Sequence, residues 1–321
     1  MNDVISRISA IGIMPVIGRL ESTEDCDHLA AALKKGGIPA MEITFRMEKA
    51  ETYIKYVREK YPDMLTGAGT VITMGQAEEA INAGAQFVVT PGLNPEIVKY
   101  CQSRNTPVIP GVSTASEIET ALGLGLKNVK FFPAEPLGGV SVIKALCGPY
   151  KNLGFMPTGG LNLDNIQSYF AFDKVICCGG SYMLGSFLAK KDWAQIAALC
   201  RKSVQTMLGL KLAHIGINNT NEKDAAEVSS GLSDLLKLDV SKDGPVSTFL
   251  DGEIEVMKVK FPGTHGHIAF SSVGLERAVR YFKFMGAEFD ESTAQYDDKG
   301  HLKVIYFKNE IGGFAIHLNQ A

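Results

Sequence analysis

A lysine within an apolar run is the first residue of this sequence whose surroundings suggest chemistry. In residues 128–133 (NVKFFP), strand alternation puts Asn128, Lys130 and Phe132 on one face. Burial disfavours the ammonium form and lowers the pKa of a lysine, by about 3–5 units in extreme cases. The resulting neutral amine can attack a ketone, so the pattern indicates a Schiff-base nucleophile. The alternative is a lysine whose stem packs while its head reaches solvent or a structural carboxylate.

Acidic and basic side chains share one face of a second apolar run. In residues 40–46 (AMEITFR), alternation places Glu42, Thr44 and Arg46 together. Core packing does not explain a glutamate there, whereas an acid–base catalyst beside an amine nucleophile does. Arg46 can form a bidentate pair with a substrate carboxylate. The alternative is an ion pair of Glu42 with Arg46 or Lys130 that only fills the interior.

Two later runs, residues 155–160 (FMPTGG) and 175–181 (VICCGGS), each contain a Gly-Gly pair. Glycine lets the backbone approach an anion closely, and a following helix N-terminus offers N–H donors. Each pair alone is most often a plain turn, but together they predict a phosphate site. The phosphate candidates are Thr158, Gly159, Gly160, Gly180 and Ser181.

Eight apolar runs alternate with amphipathic segments in the first two-thirds of the chain, a rhythm typical of parallel strands with crossover helices. That count predicts an α/β fold, a (β/α)₈ TIM barrel, over residues 1–209. An open doubly wound sheet is the alternative, but its GxGxxG fingerprint is absent. The runs are MPVIGR, AMEITFR, LTGAGTV, FVVTPG, PVIPGVS, NVKFFP, FMPTGG and KVICCGG.

Residues 210–321 follow a different pattern and contain five of the six histidines. A strand, a helix and further strands are expected twice in succession, with helices near 222–237 and 274–285. We therefore predict a smaller α+β domain built from two βαβββ-like half-units.

Composition and charge restrict the classes of partner. The chain has 321 residues, 45% of them hydrophobic and 21% charged, as in ordinary globular proteins. A net charge of −3 gives no reason to expect nucleic acid or a membrane as partner, so local groups must bind any anionic substrate. Neither a secretory signal nor an apolar run of about 18 residues is evident. Six scattered cysteines without a CxxC pair favour a reducing cytoplasm.

Residues 5–208 resemble the 2-keto-3-deoxy-6-phosphogluconate (KDPG) aldolases, a family that also includes 4-hydroxy-2-oxoglutarate (KHG) aldolases. The resemblance implies a class I aldolase that acts on a 2-keto acid without a metal, in a cytoplasmic homotrimer. It implies that Lys130 forms the Schiff base and that Glu42 is the general acid/base. The motifs that carry it are GGIPAMEITFR, GAGTV, VTPG, IPGVSTASE, KFFPAE and PTGG, in that order.

The same resemblance implies the remaining substrate contacts. Arg46 and Thr70 would hold the keto-acid carboxylate, Pro91 and Phe132 would wall the pyruvate pocket, and the two glycine segments would take the phosphate. One position departs from the pattern: some relatives have an arginine directly after the first strand, whereas Gly18 precedes Arg19 here. A contact from Arg19 to substrate is therefore in question.

The resemblance leaves the aldehyde product open between glyceraldehyde 3-phosphate and glyoxylate. A 2-keto-3-deoxy-6-phosphogalactonate aldolase, a sugar-phosphate isomerase or epimerase, and a non-catalytic sensor are the alternatives. In the isomerase, Glu42 would be the base and Lys130 only an electrostatic aid.

Residues 210–321 contain the motif pairs HIGIN…GEIEVMKV and GHIAF…GGFAIHL. These pairs resemble two βαβββ half-units of the glyoxalase/dioxygenase (vicinal-oxygen-chelate) fold. The resemblance implies a divalent metal held by residues on the first and last strands of each half-unit. The alternative is that these are strand residues satisfied by hydrogen bonds, in a binding or assembly module without a second activity. His265 and His301 have the setting of ordinary loop histidines. The implied ligands are His214, Glu255, His267 and His317.

Overall fold

The computed structural model describes residues 4–321, which contacts between residues divide into two compact units after Met207. The sequence places this boundary after residue 209, two residues further along. The two units are described separately below. No helix within the described residues combines the length and apolar character needed to cross a membrane.

The N-terminal unit alternates strands with helices along its whole length. Its strands are β1 (Ile13–Ile17), β2 (Ala40–Thr44), β3 (Leu65–Gly69), β4 (Val88–Val89), β5 (Val108–Ile109), β6 (Gly111–Val112), β7 (Asn128–Phe131), β8 (Gly154–Pro157) and β9 (Cys178–Gly180). Its helices are α1 (Val4–Ile11), α2 (Thr23–Lys35), α3 (Ala50–Lys60), α4 (Met74–Asn82), α5 (Pro95–Ser103), α6 (Ala115–Gly123), α7 (Gly139–Cys147), α8 (Ile166–Phe170), α9 (Gly185–Ala189) and α10 (Trp193–Leu208).

The strands of this unit form a parallel ring. One arc runs in the order β5-β4-β3-β2-β1-β9, and a second runs β6-β7-β8. β5 and β6 are two parts of one barrel strand, separated only by Pro110. Parallel bridges from Phe155 to Val175 and from Thr158 to Gly179 join β8 to β9. The predicted (β/α)₈ barrel is confirmed, and its carboxyl strand ends face one rim.

Four helices of this unit, α2, α4, α5 and α6, begin with polar caps. Ser22 accepts a hydrogen bond from Asp25 N at the start of α2, and Asn94 caps α5, whose first residue is Pro95. α4 and α6 begin with complete capping boxes, formed by Thr73 with Gln76 and by Thr114 with Glu117. These caps satisfy amide groups that the first helical turn leaves free, so each helix begins at a fixed residue.

The C-terminal unit contains eight strands and two helices. Its strands are β10 (Lys211–Ile217), β11 (Val240–Asp243), β12 (Ser247–Leu250), β13 (Ile254–Met257), β14 (Gly266–Ser272), β15 (Phe289–Tyr296), β16 (Leu302–Phe307) and β17 (Phe314–Gln320). Its helices are α11 (Glu222–Leu236) and α12 (Leu275–Phe284). The element order is βαβββ followed by βαβββ, the arrangement expected from the sequence.

All eight strands of this unit form one sheet, in the order β11-β12-β13-β10-β14-β17-β16-β15. β10 and β14, the first strands of the two half-units, pair antiparallel at the centre. Each first strand pairs in parallel with the last strand of its own half-unit. α11 packs against β12 and β13, where Ala225, Leu250 and Val256 are buried together.

Candidate active site and a histidine cluster

A cavity of about 410 Å³ lies at the carboxyl ends of the barrel strands. Ten of the predicted barrel site residues line it, whereas Glu42 and Arg19 do not. Val16, Leu161 and Tyr182 also line it and were not predicted, because an apolar or aromatic side chain gives no sequence signal of contact with a ligand. The predicted residues that line it are Arg46, Thr70, Pro91, Lys130, Phe132, Thr158, Gly159, Gly160, Gly180 and Ser181.

Lys130 lies on β7, in register with Gly111 of β6 and Met156 of β8. Only 4% of the residue is exposed, and Nζ lies 5.0 Å from the centre of the Phe132 ring. Burial lowers the pKa of Lys130, the Glu42 carboxylate raises it, and the Arg46 guanidinium lowers it, with a net fall below its ordinary value. A larger fraction of this amine is therefore neutral than in water.

Glu42 lies on β2 and is completely buried, in register with Val16 of β1 and Gly67 of β3. Burial raises the pKa of Glu42, although the charges of Lys130 and Arg46 oppose the shift. Within residues 4–321, neither carboxylate oxygen has a hydrogen-bond partner. This acid is therefore close to the lysine electrostatically and is not held by hydrogen bonds to the protein.

The space occupied by the Glu42 carboxylate depends on a glycine at the end of β3. A Cβ atom on Gly69 would lie 2.1 Å from Glu42 Oε1 and 2.7 Å from Cδ. Any side chain there would therefore displace the carboxylate. The second glycine of the GAGTV motif, Gly69, therefore leaves the space that the Glu42 carboxylate occupies.

Arg46 and Thr70 follow the ends of β2 and β3, so both lie at the rim of the barrel. Thr70 has a φ of 55°, in the left-handed region that non-glycine residues seldom adopt. Arg19 lies elsewhere: its side chain is 63% exposed, is paired with Glu21, and does not line the cavity. Of the two arginines, the structure brings only Arg46 to the lysine.

The segments after β8 and β9 lie side by side and both line the cavity. Gly159 and Gly160 have φ values of 100° and 84°, which favour glycine over other residues. The Thr158 hydroxyl is buried, and within residues 4–321 it has no hydrogen-bond partner. The two glycine segments identified in the sequence thus form one continuous wall with Ser181.

A family model described as "KDPG and KHG aldolase" matches residues 4–199. The chain belongs to this aldolase family. A 2-dehydro-3-deoxy-phosphogluconate aldolase from Treponema pallidum is 45% identical over 206 residues, covering 64% of this chain and 98% of the relative. A KHG/KDPG aldolase from Escherichia coli is 38% identical over 194 residues, covering 60% and 91%. The family resemblance noted in the sequence is confirmed.

A solved structure of a family member shows the same barrel. KDPG aldolase from Legionella pneumophila, with pyruvate captured as a covalent carbinolamine, has a TM-score of 0.59 and 37% identity. The alignment covers 61% of this chain and 96% of that one. The N-terminal unit is thus an aldolase domain, and the residues matched by the family model end before the C-terminal unit begins.

Beyond the aldolase domain, strand register brings four predicted metal-binding residues together. Glu255 and His267 both lie beside Gly216 of β10, and His214 and His317 both lie beside Ala269 of β14. Small residues between the larger side chains leave room for them to converge on one face. The two neighbouring rows across the sheet are Glu255–Gly216–His267 and His214–Ala269–His317.

Short distances connect the four side chains. His267 Nε2 lies 3.1 Å from His214 Nε2 and 3.0 Å from Glu255 Oε2, which is 3.3 Å from His214 Nε2. One ring nitrogen from each of His214, His267 and His317 lies within 4.8 Å of the others. We call these three residues and Glu255 the histidine cluster. In the described residues, neither ring nitrogen of His317 has a hydrogen-bond partner.

The pKa values of His317 and Glu255 both lie below their ordinary values. Burial lowers the pKa of His317 to about 3, and the neighbouring charges of His267 and His214 act in the same direction. Burial alone would raise the pKa of Glu255, but hydrogen bonds from His214, His267 and Ser247 hold it well below its ordinary value. A neutral imidazole and an ionised carboxylate are the forms that bind metal ions.

Aromatic rings surround the histidine cluster. Phe249 lies edge-on to His214 at 5.5 Å, Phe261 lies 6.2 Å from His267, and Tyr306 stacks on His317 at 4.5 Å between ring centres. His265 and His301 lie outside the cluster. His265 packs against Phe314, and exposed His301 contacts Asp297 at 3.1 Å.

Proposed function

We propose that the aldolase domain cleaves KDPG, and also KHG, through a Schiff base on Lys130. The observation that carries this proposal is that Lys130, which lines the cavity, and Glu42 are both buried and that each shifts the pKa of the other. KDPG would give pyruvate and glyceraldehyde 3-phosphate, and KHG would give pyruvate and glyoxylate. This is class I chemistry, in which the amine takes the part that a metal plays in other aldolases.

Lys130 adds through Nζ to the C2 ketone of the substrate and forms a carbinolamine. Glu42, whose raised pKa favours a protonated carboxyl, donates a proton to the departing hydroxyl, and water leaves to give the iminium ion. The C3–C4 bond then breaks, its electrons pass to the iminium nitrogen, and the C4 hydroxyl proton moves to a base. Protonation of the enamine at C3 and hydrolysis release pyruvate and restore the amine.

Arg46 fixes which carbonyl meets the amine. Its guanidinium can bind the C1 carboxylate in a bidentate pair, with the Thr70 hydroxyl as a further donor. Pro91 and Phe132 wall the pyruvate end of the cavity. The wall of Thr158, Gly159, Gly160, Gly180 and Ser181 supplies the phosphate site of this proposal, since glycine backbone admits an anion closely.

Borohydride reduction in the presence of pyruvate tests the Schiff base. We expect a covalent three-carbon adduct on Lys130, located by peptide mass spectrometry. Lys130→Arg should give neither adduct nor turnover, because a guanidinium cannot form the imine. Lys127→Arg, an exposed lysine three residues away, is the matched control and should behave as the wild type. Turnover by Lys130→Arg near the normal rate would refute the mechanism.

The aldehyde half of the substrate is tested separately. Coupled pyruvate detection with KDPG, KHG and 2-keto-3-deoxy-6-phosphogalactonate should show a preference for KDPG, because the glycine wall lines the same cavity as the amine and can admit a phosphate. A preference for the galactonate isomer would show that KDPG is the wrong substrate, whereas the Schiff-base mechanism on Lys130 would stand. Isomerisation without pyruvate, or binding without turnover, would favour an isomerase or a sensor instead.

We also propose that the C-terminal unit binds one divalent transition metal through His214, Glu255, His267 and His317. The buried, unpartnered nitrogens of His317 and the convergence of four donors support this proposal. Three imidazole nitrogens and one carboxylate oxygen fit such an ion, which would act there as a Lewis acid. The glyoxalase-like ancestry expected from the sequence is consistent with this donor set and stays a prediction.

Metal analysis of the purified full chain tests this second function. After chelation and dialysis against Zn²⁺ or Co²⁺, we expect one ion per chain in the wild type. His214→Ala should lose most of that occupancy, whereas His301→Ala, an exposed histidine outside the cluster, should keep it. No stoichiometric metal in the wild type, or full occupancy in His214→Ala, would end the proposal.

We further propose the cytoplasmic homotrimer that the family resemblance implies. The six cysteines are all free and buried, which suits a reducing compartment. Light scattering on the purified chain measures the oligomeric state. A monomer or dimer at micromolar concentration would contradict the trimer without affecting the chemistry.

A further inference from the structure

Thr44 makes two hydrogen bonds that connect the barrel wall to Arg46. The residue is completely buried at the end of β2. Its hydroxyl donates to the Ile17 carbonyl at 2.8 Å and lies 3.3 Å from Arg46 Nε. The threonine is therefore in contact with the guanidinium that the proposed function assigns to the substrate carboxylate.

Only one assignment of donors and acceptors fits the contacts among Ile17, Thr44 and Arg46. A carbonyl oxygen only accepts, so the Thr44 hydroxyl proton goes to Ile17. A guanidinium only donates, so Arg46 Nε–H goes to a lone pair of the same hydroxyl. Since the hydroxyl cannot rotate without losing the carbonyl, it fixes the direction from which Nε approaches. The two terminal nitrogens of Arg46 then remain for a ligand, within the part of the chain that the structure describes.

A glycine bounds the guanidinium on its other side. Gly18 directly follows β1, and a Cβ atom there would lie 3.2 Å from Arg46 Nη2 and 3.7 Å from Cζ. The first contact is tighter than most Cβ contacts and the second is an ordinary one, so a side chain at this position would shift the guanidinium by a few tenths of an ångström. The backbone after β2 is also fixed, because Phe45 N donates to Gly69 O at 2.8 Å.

We propose that Thr44 and Gly18 are positioning residues for the aldolase reaction: together they hold Arg46 in the orientation that binds the keto-acid carboxylate. This inference rests on the proposed role of Arg46. It adds that two residues without their own contact to substrate determine the affinity for the 2-keto acid. Gly18 lies where the sequence departs from some relatives. Its proposed role is to limit the space of the Arg46 guanidinium.

Steady-state kinetics of the full chain with KDPG test the threonine. Thr44→Val keeps the shape but removes the hydroxyl, and we expect KM to rise about tenfold with a smaller change in kcat. Thr44→Ser restores the hydroxyl and should restore KM. Thr66→Val is the matched control, because Thr66 is an equally buried hydroxyl on neighbouring β3 and should leave KM unchanged.

A double-mutant cycle separates positioning from general loosening of the barrel. If Thr44 acts through Arg46, Thr44→Val should change KM less than twofold in an Arg46→Ala background. Equal rises in KM in both backgrounds, or no rescue by Thr44→Ser, would overturn this inference and leave the role of Arg46 intact. An unchanged KM in Arg46→Ala alone would overturn both.

Gly18 is tested by a single added methyl group. Gly18→Ala should raise KM in the same direction as Thr44→Val, because the Cβ atom displaces Nη2. Gly75→Ala, where a Cβ atom would meet nothing within 4 Å, is the control. A wild-type KM in Gly18→Ala would remove the glycine from the proposal.

Discussion

Three ionisable side chains, Lys130, Glu42 and Arg46, act on one another at the aldolase site: Lys130 and Glu42 shift each other's pKa, and the charge of Arg46 acts on both. Burial favours the neutral forms of Lys130 and Glu42, and the positive charge of Arg46 lowers the pKa of both groups. Arg46 thus serves the lysine in a second way, since its positive charge makes the neutral amine more favourable. Substrate orientation and amine activation are combined in one guanidinium.

Removing that charge should move the pH dependence of imine formation. The Arg46 guanidinium lowers the pKa of Lys130, so Arg46→Ala should raise this pKa and shift the rise in adduct formation to higher pH. The measurement is the pH profile of pyruvate and borohydride trapping at saturating pyruvate. Arg46→Lys keeps the charge and should shift the profile less. A shift to lower pH in Arg46→Ala would contradict the electrostatic argument.

The ends of the barrel strands position the aldolase residues. At the end of β3, Thr70 lines the cavity and Gly69 leaves space for the Glu42 carboxylate. Gly69→Ala should lower kcat about 10²-fold, because the new Cβ atom displaces the Glu42 carboxylate from its place near Lys130. Circular dichroism should show a folded barrel, since Gly69 does not have a positive φ. Gly123→Ala, with open space around its Cβ atom, is the control. Normal kcat in Gly69→Ala would show that the exact place of Glu42 is unimportant.

Elements with a strong apolar pattern could be predicted from the sequence. All eight barrel runs are strands, because a buried parallel strand must be apolar on both faces. The break at Pro110, β11 and α1 were not predicted. β11 (VSKD) is exposed and polar, and its pairing with β12 through backbone hydrogen bonds leaves no hydrophobic signal. Backbone pairing of this kind depends on tertiary structure.

Site residues follow the same rule. Lys130 and Glu42 are conspicuous because ionisable residues seldom occur in buried strands. The contacts that hold the Arg46 guanidinium could not be predicted, because Gly18 comes close to it only when β1 and β2 pair. The candidates in the histidine cluster came from a resemblance, and their convergence depends on the register of β10 with β13 and β14. Register is a property of the folded sheet.

The two half-units of the C-terminal sheet each contribute two residues to the histidine cluster. A metal bound there would therefore join the half-units, and it would bind the folded unit but not the unfolded chain. At a free metal concentration of 100 times Kd, this linkage contributes about 2.7 kcal/mol to the free energy of unfolding. The metal would act on the stability of this unit, whereas the amine chemistry of the aldolase domain does not use it.

Chelation should therefore separate stability from activity in the full chain. We expect EDTA to lower the Tm of one calorimetric transition by about 10 °C, while cleavage of KDPG continues at the same rate. His214→Ala should show the lower Tm without EDTA and no further response to it. Loss of aldolase activity on chelation, or an unchanged thermogram, would contradict this expectation.

The C-terminal sheet has the same strand order from either edge: in each half-unit the second strand is outermost, the third and fourth follow inward, and the two first strands pair at the centre. Two identical copies of one half-unit, joined through their first strands, would build the same sheet and bring two donors each to its middle. Such a dimer of one half-unit would therefore already bring four donors together. In the single chain the two halves differ, since one contributes Glu255 and His214 and the other His267 and His317.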